Sequence, residues 1–237
     1  MKKLLLLAAV CLTSSAIADQ PHRRIYNIGS DFSLASNPNG PWAYGIIGND
    51  GIFKPFSTPG QTPDDKGVPV DLWYNPVTSD AIFHNQNDFT IISNGGEGVH
   101  PANSVWFHPP LATDERWAAV RFTVSKSGHY AIRATFTKVL HTLGNDVDLR
   151  IQRNGVDLFS DVLSAGEEPS AFATKLRLQA GDSIGFLIGD SGDGTFGDAT
   201  FFDITLAGKK PKMPEDHCDE QKRQDFPQRR LDKQSRR

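Results

Sequence analysis

Apolar residues recur at every second position through much of this chain, and that period limits it to extended structure. In "RWAAVRFTV" the residues Ala118, Val120, Phe122 and Val124 share one face, and Trp117, Arg121 and Thr123 share the other. "HYAIRATF" repeats the pattern with Tyr130, Ile132, Ala134 and Phe136, and the intervening Ser127-Gly128 predicts a hairpin joining the two strands. "DVDLRIQRNGVDLF" alternates Val147, Leu149 and Ile151 with polar neighbours, then supplies Asn154-Gly155, the pair favoured where a tight hairpin needs two positive φ angles. Leu176 and Leu178, a turn at Ala180-Gly181-Asp182, and Ile184, Phe186 and Ile188 follow; Phe202, Ile204 and Leu206 close the series.

Less regular strands are expected near Gly45 to Phe53, Ala81 to Phe83, Phe89 to Ser93 and Val105 to Phe107, and no stretch of ten residues carries a helical period. Nine or ten short strands punctuated by Gly, Pro and Asn predict an all-β fold, an antiparallel two-sheet jelly-roll sandwich. Pro- and Asp-rich residues 51–78 read as a long irregular segment, the kind of loop that carries function.

The opening "MKKLLLLAAVCLTSSAIADQ" has two lysines, a short apolar run and a small-x-small site before Asp19, the pattern of a secretory signal peptide over residues 1–18. Val10 before Cys11 is wrong for a lipoprotein signal, so a secreted or periplasmic protein is expected, with no transmembrane segment. Cys218 alone survives cleavage, so no internal disulfide forms, although a Cys218-linked dimer can. Residues 19–207, the expected sandwich domain, hold 13 Lys+Arg against 22 Asp+Glu; residues 208–237 hold 10 against 6. An acidic domain lacks the basic footprint nucleic acid requires, so no nucleic-acid partner is expected. The C-terminal segment is too poor in apolar residues to offset its ordering entropy, and a disordered basic tail is expected there. Its closing arginine pairs suit either a solvated tail or an electrostatic tether.

"FSLASNPNGPWAYG", "VWFHPP", "RWAAVRFTVSKSGHYAIRATFT", "DVDLRIQRNGVDLF" and "LQAGDSIGFLIG", spread over residues 31–206, together resemble exported bacterial β-sandwich proteins of galactose-binding-domain type. The resemblance implies a jelly roll used as an accessory or adhesive module, in a fold group whose members include carbohydrate-binding modules. Some members end in a hydrophobic sorting segment, where this chain has its charged tail.

No nucleophile elbow, zincin helix motif, phosphate loop or Cys-His pairing occurs. Asp190, Asp193 and Asp198 lie in a Gly-rich run with the composition, though not the spacing, of a calcium loop; calcium is the one cofactor expected, and a polar turn is the alternative. Glu97, His100 and His108 lack a spacing that would converge them on zinc. Aromatic residues beside polar ones can stack sugar rings, which makes Trp73, Tyr74, Trp117 and Arg121 the candidate ligand-binding residues. Trp42 and Tyr44, two apart and leading into an apolar strand, are expected to be buried together as the cap of the sandwich. The expectation is a secreted module that binds a glycan or another cell-surface polymer without catalysis. The alternatives are a polysaccharide-acting enzyme and a matrix protein mediating protein contacts.

Overall fold

The computed structural model describes residues 24–78, 80–110 and 117–209. The segment expected to be a signal peptide, Cys218 and the tail expected beyond residue 209 lie outside them. The first half supplies β1 (Arg24–Asn27), β2 (Trp42–Ile47), β3 (Phe53–Pro55), β4 (Thr58–Pro63), β5 (Pro69–Tyr74), β6 (Ala81–His84), β7 (Ile91–Ser93), β8 (Gly98–His100) and β9 (Val105–Phe107). The second half supplies β10 (Trp117–Thr123), β11 (Gly128–Lys138), β12 (Val147–Arg153), β13 (Val156–Leu163), β14 (Ser170–Leu178), β15 (Ser183–Gly189) and β16 (Thr200–Lys209). Strand β16 carries the sandwich two residues past the expected boundary at 207.

All pairings are antiparallel. One sheet runs β13-β12-β15-β10-β2-β3; the larger runs β14-β11-β16-β9-β6-β5-β4, with β1 also on β16. The alternating residues named above meet between the sheets: Val120, Phe122, Phe136, Ile151, Phe186 and Ile204 each have no exposed surface. Burying a side chain of this size stabilises by about 1.5–3 kcal/mol.

From β9 onward every connection but one changes sheets. The exception is Asn154-Gly155, where φ of 51° and 82° close the β12–β13 hairpin. The hairpin expected at Ser127-Gly128 does not form: β10 pairs with β15 and β2, and β11 with β14 and β16. Neither Ser127 nor Gly128 takes the positive φ of a tight hairpin turn. Instead the crossing at 124–127 is bonded to the crossing at 179–182, with Val124 N–H donating to Asp182 O at 2.8 Å and Gly181 N–H to Val124 O at 2.8 Å.

Residues 51–78 are likewise not an irregular loop, because β3, β4 and β5 fill them. Pro59 and Pro63 fit there because β4 is the edge of its sheet, where a missing N–H costs no ladder bond.

The "SNPNGPWAYG" stretch is a clasp. Asn37 donates through Nδ2 to Tyr44 O at 2.7 Å and Phe56 O at 2.8 Å, and its Oδ1 accepts from Tyr44 N–H at 2.9 Å. Trp42 Nε1–H donates to Asp31 Oδ2 at 3.0 Å, and Asn39 Nδ2 to Asp31 O at 2.8 Å. Trp42 and Tyr44 are both fully buried, as expected.

A second apolar cluster lies on the outer side of the larger sheet, where the β7–β8 hairpin covers Trp106, Val139 and Phe201. His100 packs on Trp106 with ring centroids 4.1 Å apart and the planes tilted by 42°, and pairs with Ser93 Oγ at 2.7 Å. Burial pulls the His100 pKa from 6.5 down to about 4, against the opposing pull of Asp64 and Asp65. The folded imidazole therefore stays neutral while the unfolded one titrates, so its contribution is intact above pH 6.5 and is lost as pH falls toward 4. Acidification from pH 7 to 4.5 should cost up to about 2–3 kcal/mol at this site. His84, also lowered by burial, adds to the loss with the same sign. Urea titrations of wild type and His100→Gln should show a visibly flatter pH dependence in the variant; identical slopes would remove His100 from the account.

Candidate functional site

The four candidate ligand-binding residues do not form one site. Trp73 is 4% exposed in the core, and its Nε1–H donates to Ser33 O at 2.9 Å. It offers no ring face to a ligand, because β5 turns it inward. Half-buried Tyr74 points out of the larger sheet, against Gly60. Trp117 and Arg121 lie two turns of the pleat apart on the outer face of the smaller sheet. Arg121 is also not open: its guanidinium carbon sits 4.1 Å from the Phe53 ring centroid, its Nε is buried without a hydrogen bond, and burial lowers its pKa.

Trp117 does open onto a cleft, of about 630 Å³. Its indole lies against Gly189, where an added Cβ would sit 3.0 Å from ring carbon Cζ3 and push the ring outward, so glycine lets the indole lie flat on the strand. Arg150 on β12 brings its guanidinium carbon 4.4 Å from the Trp117 ring centroid. Register explains the meeting: β15 lies between β10 and β12, and Gly189 pairs with Asp148, two residues before Arg150. Asp148, Arg150 and Gln152 thus project from alternate positions of β12 into the same cleft as Trp117.

These polar groups are held in place. Asp157 accepts from Gln152 Nε2 at 2.8 Å and lies 3.7 Å from Arg150 Nη1. Ser191 Oγ–H donates to Asp148 Oδ1 at 2.9 Å, and Asp190 Oδ1 accepts from Gly192 N–H at 3.2 Å. The loops at 48–51 and 189–192 form the walls. The cleft therefore joins an indole surface to a guanidinium, an amide and two carboxylates, donors and acceptors suited to neighbouring hydroxyls. Sequence reading had only the polar face of "DVDLRIQR" as a clue to Asp148, Arg150 and Gln152; that β12 lies two strands from Trp117 was not legible there.

The three aspartates expected to hold calcium do not form a cage. Asp198 is fully buried and faces Lys138 Nζ at 3.4 Å, an ammonium that also donates to Asn145 O. Burial pushes the Asp198 pKa up to about 7 against the pull of Lys138. Asp193 Oδ2 accepts from Asp146 N–H at 3.0 Å, and Asp190 serves the cleft wall. Among the described residues no three His, Cys, Asp or Glu side chains are grouped to hold a metal ion. Lys138 already supplies Asp198 with a positive charge, and Asp190 and Asp193 each accept a hydrogen bond from the loop backbone. Glu97, His100 and His108 also stay apart; His108 Nδ1 lies 2.8 Å from Pro109 O.

The fold and cleft together define a two-sheet β-sandwich with a polar-aromatic groove on its smaller sheet. No protein-family model and no curated protein matches the chain. Among solved structures, it is similar to the CBM51 of Clostridium perfringens GH95 in complex with methyl-galactose, at 9% identity over 77% of this chain and 99% of that one, TM-score 0.39. The structure of CBM51-2 in complex with GlcNAc and INT domains from Clostridium perfringens ZmpB matches 72% of this chain and 41% of its own, at 8% identity and TM-score 0.40. The tandem CBM51 modules of a family 98 glycoside hydrolase from Streptococcus pneumoniae match 72% and 49%, at 9% identity and TM-score 0.42. The chain thus spans nearly all of the first match and under half of the other two. No described helix is long and apolar enough to cross a membrane.

Proposed function

We propose that the chain is an exported, non-catalytic module that binds a neutral saccharide in the Trp117 cleft. The observation that carries this reading is the half-buried indole held over Gly189 with Arg150, Asp148 and Gln152 on the same sheet face. A sugar's C–H face packs on such a surface while its hydroxyls take the donors and acceptors around it. Two carboxylates against one guanidinium leave the cleft without excess positive charge, which favours an uncharged ligand over an acidic one.

The test is a glycan array followed by calorimetric titration, with methyl-galactose and GlcNAc among the first probes. Trp117→Ala should weaken binding at least tenfold while leaving the melting temperature within a few degrees, because the ring stands outside the core. EDTA should leave the titration unchanged. Failure of the wild-type protein to bind any neutral saccharide would overturn the reading, and release of reducing ends from a bound polymer would replace the module with a hydrolase.

A further inference from the structure

The outer face of the larger sheet has two halves. The β7–β8 hairpin covers one; the other, formed by β14, β11, β16 and β1, is open. On β11 the core takes Tyr130, Ile132 and Ala134, so His129, Ala131 and Arg133 point outward. Cross-strand register sets His129 opposite Arg177, Ala131 opposite Lys175 and Ala207, and Arg133 opposite Ala173 and Thr205. Strands lie about 5 Å apart and alternate residues about 7 Å apart, so Arg133, Lys175 and Arg177 stand on one tight grid. All three are exposed, and none forms an ion pair with another described residue. Asp203 is the one acidic side chain at the outward positions of these four strands.

Between Arg133 and Lys175 runs a groove of about 680 Å³ floored by Ala131, Ala207 and Thr205, with Arg177 two residues beyond Lys175 on the same face of β14. Small floor residues let a chain lie close to the sheet, and long cationic side chains flank it. The domain is acidic in sum, so this face is a local reversal of sign, and local fields rather than net charge select a ligand.

We propose that this groove binds an anionic polysaccharide, whose acid groups are held by Arg133, Lys175 and Arg177 while its backbone lies over the alanine floor. A bilayer surface fits less well, because Ile25 is the single large apolar side chain exposed in the groove and no aromatic ring stands ready to enter an interface. Single-stranded nucleic acid fits less well because Tyr130 is 4% exposed and His129 is the one exposed ring lining the groove, so successive bases find no row of stacking platforms. The groove lies on the opposite sheet from the Trp117 cleft and does not depend on the reading given to that cleft.

The test uses the full chain and three probes: polygalacturonate, vesicles containing phosphatidylglycerol, and a single-stranded oligonucleotide. The wild-type protein should bind polygalacturonate, weakening as salt rises, and bind the other two more weakly. Arg133→Ser, Lys175→Ser and Arg177→Ser combined should weaken polygalacturonate binding at least tenfold at 50 mM salt. Counterion release at three sites implies a log–log salt slope shallower by about two to three. A charge-matched variant of the C-terminal segment, K222S/R223S/R229S, should change affinity less than threefold. Absence of polygalacturonate binding, a preference for vesicles or oligonucleotide, or a loss confined to the C-terminal variant would each overturn the proposal. Neutral-saccharide titration of the face variant should match wild type, so failure here is distinguishable from failure of the cleft.

Discussion

Trp42→Ala should lower the free energy of unfolding by about 3–5 kcal/mol, the range for deleting a fully buried large aromatic. Trp42 has no exposed surface, meets Phe122 edge-on at 5.0 Å and holds Asp31 through its indole nitrogen. The substitution therefore removes apolar contact, opens a cavity and frees one end of the clasp that ties residues 31–39 to β2. Urea denaturation should show a lower midpoint with the slope conserved, since the same surface is exposed on unfolding. A loss under 1 kcal/mol would mean that the ring is not the packing element described.

Lys138→Met should cost about 3–5 kcal/mol at pH 8, because it leaves Asp198 buried without its cation. Asp198 already has a pKa raised by burial, and loss of the ammonium raises it further. With its folded pKa above the unfolded value of about 3.9, the group binds more protons folded than unfolded, and stability falls as pH rises through that window. The deficit of the variant should shrink between pH 8 and pH 5. The double variant Lys138→Met/Asp198→Asn should recover much of the loss, since it removes both charges together. A deficit independent of pH, with no recovery in the double variant, would show that Lys138 acts through packing of its stem.

Strand faces were legible because alternation is a local property. Ala118, Val120 and Phe122 had to point one way in any extended chain, and burying them decided which way. Asn154-Gly155 was legible for the same reason, since its two positive φ angles fit one turn. Ser127-Gly128 misled because a small polar dipeptide reports that the chain reverses, without reporting whether it returns to the same sheet or crosses the core. The β4 prolines misled because an edge strand tolerates them. Trp73 misled because its neighbours read as loop, while strand pairing with β6 turned it inward.

The sequence by itself determined an all-β sandwich, the inward faces of its regularly alternating strands and the joint burial of Trp42 and Tyr44, because these follow from spacing along a few residues. Only the tertiary structure decided which strands are neighbours, and function depends on that. It brought Arg150 across β15 to Trp117, gave Asp198 a buried lysine partner, and gathered Arg133, Lys175 and Arg177 on one face of an acidic domain. Each of these pairs residues tens of positions apart, and long-range sheet register, set by packing the whole core at once, is what joins them.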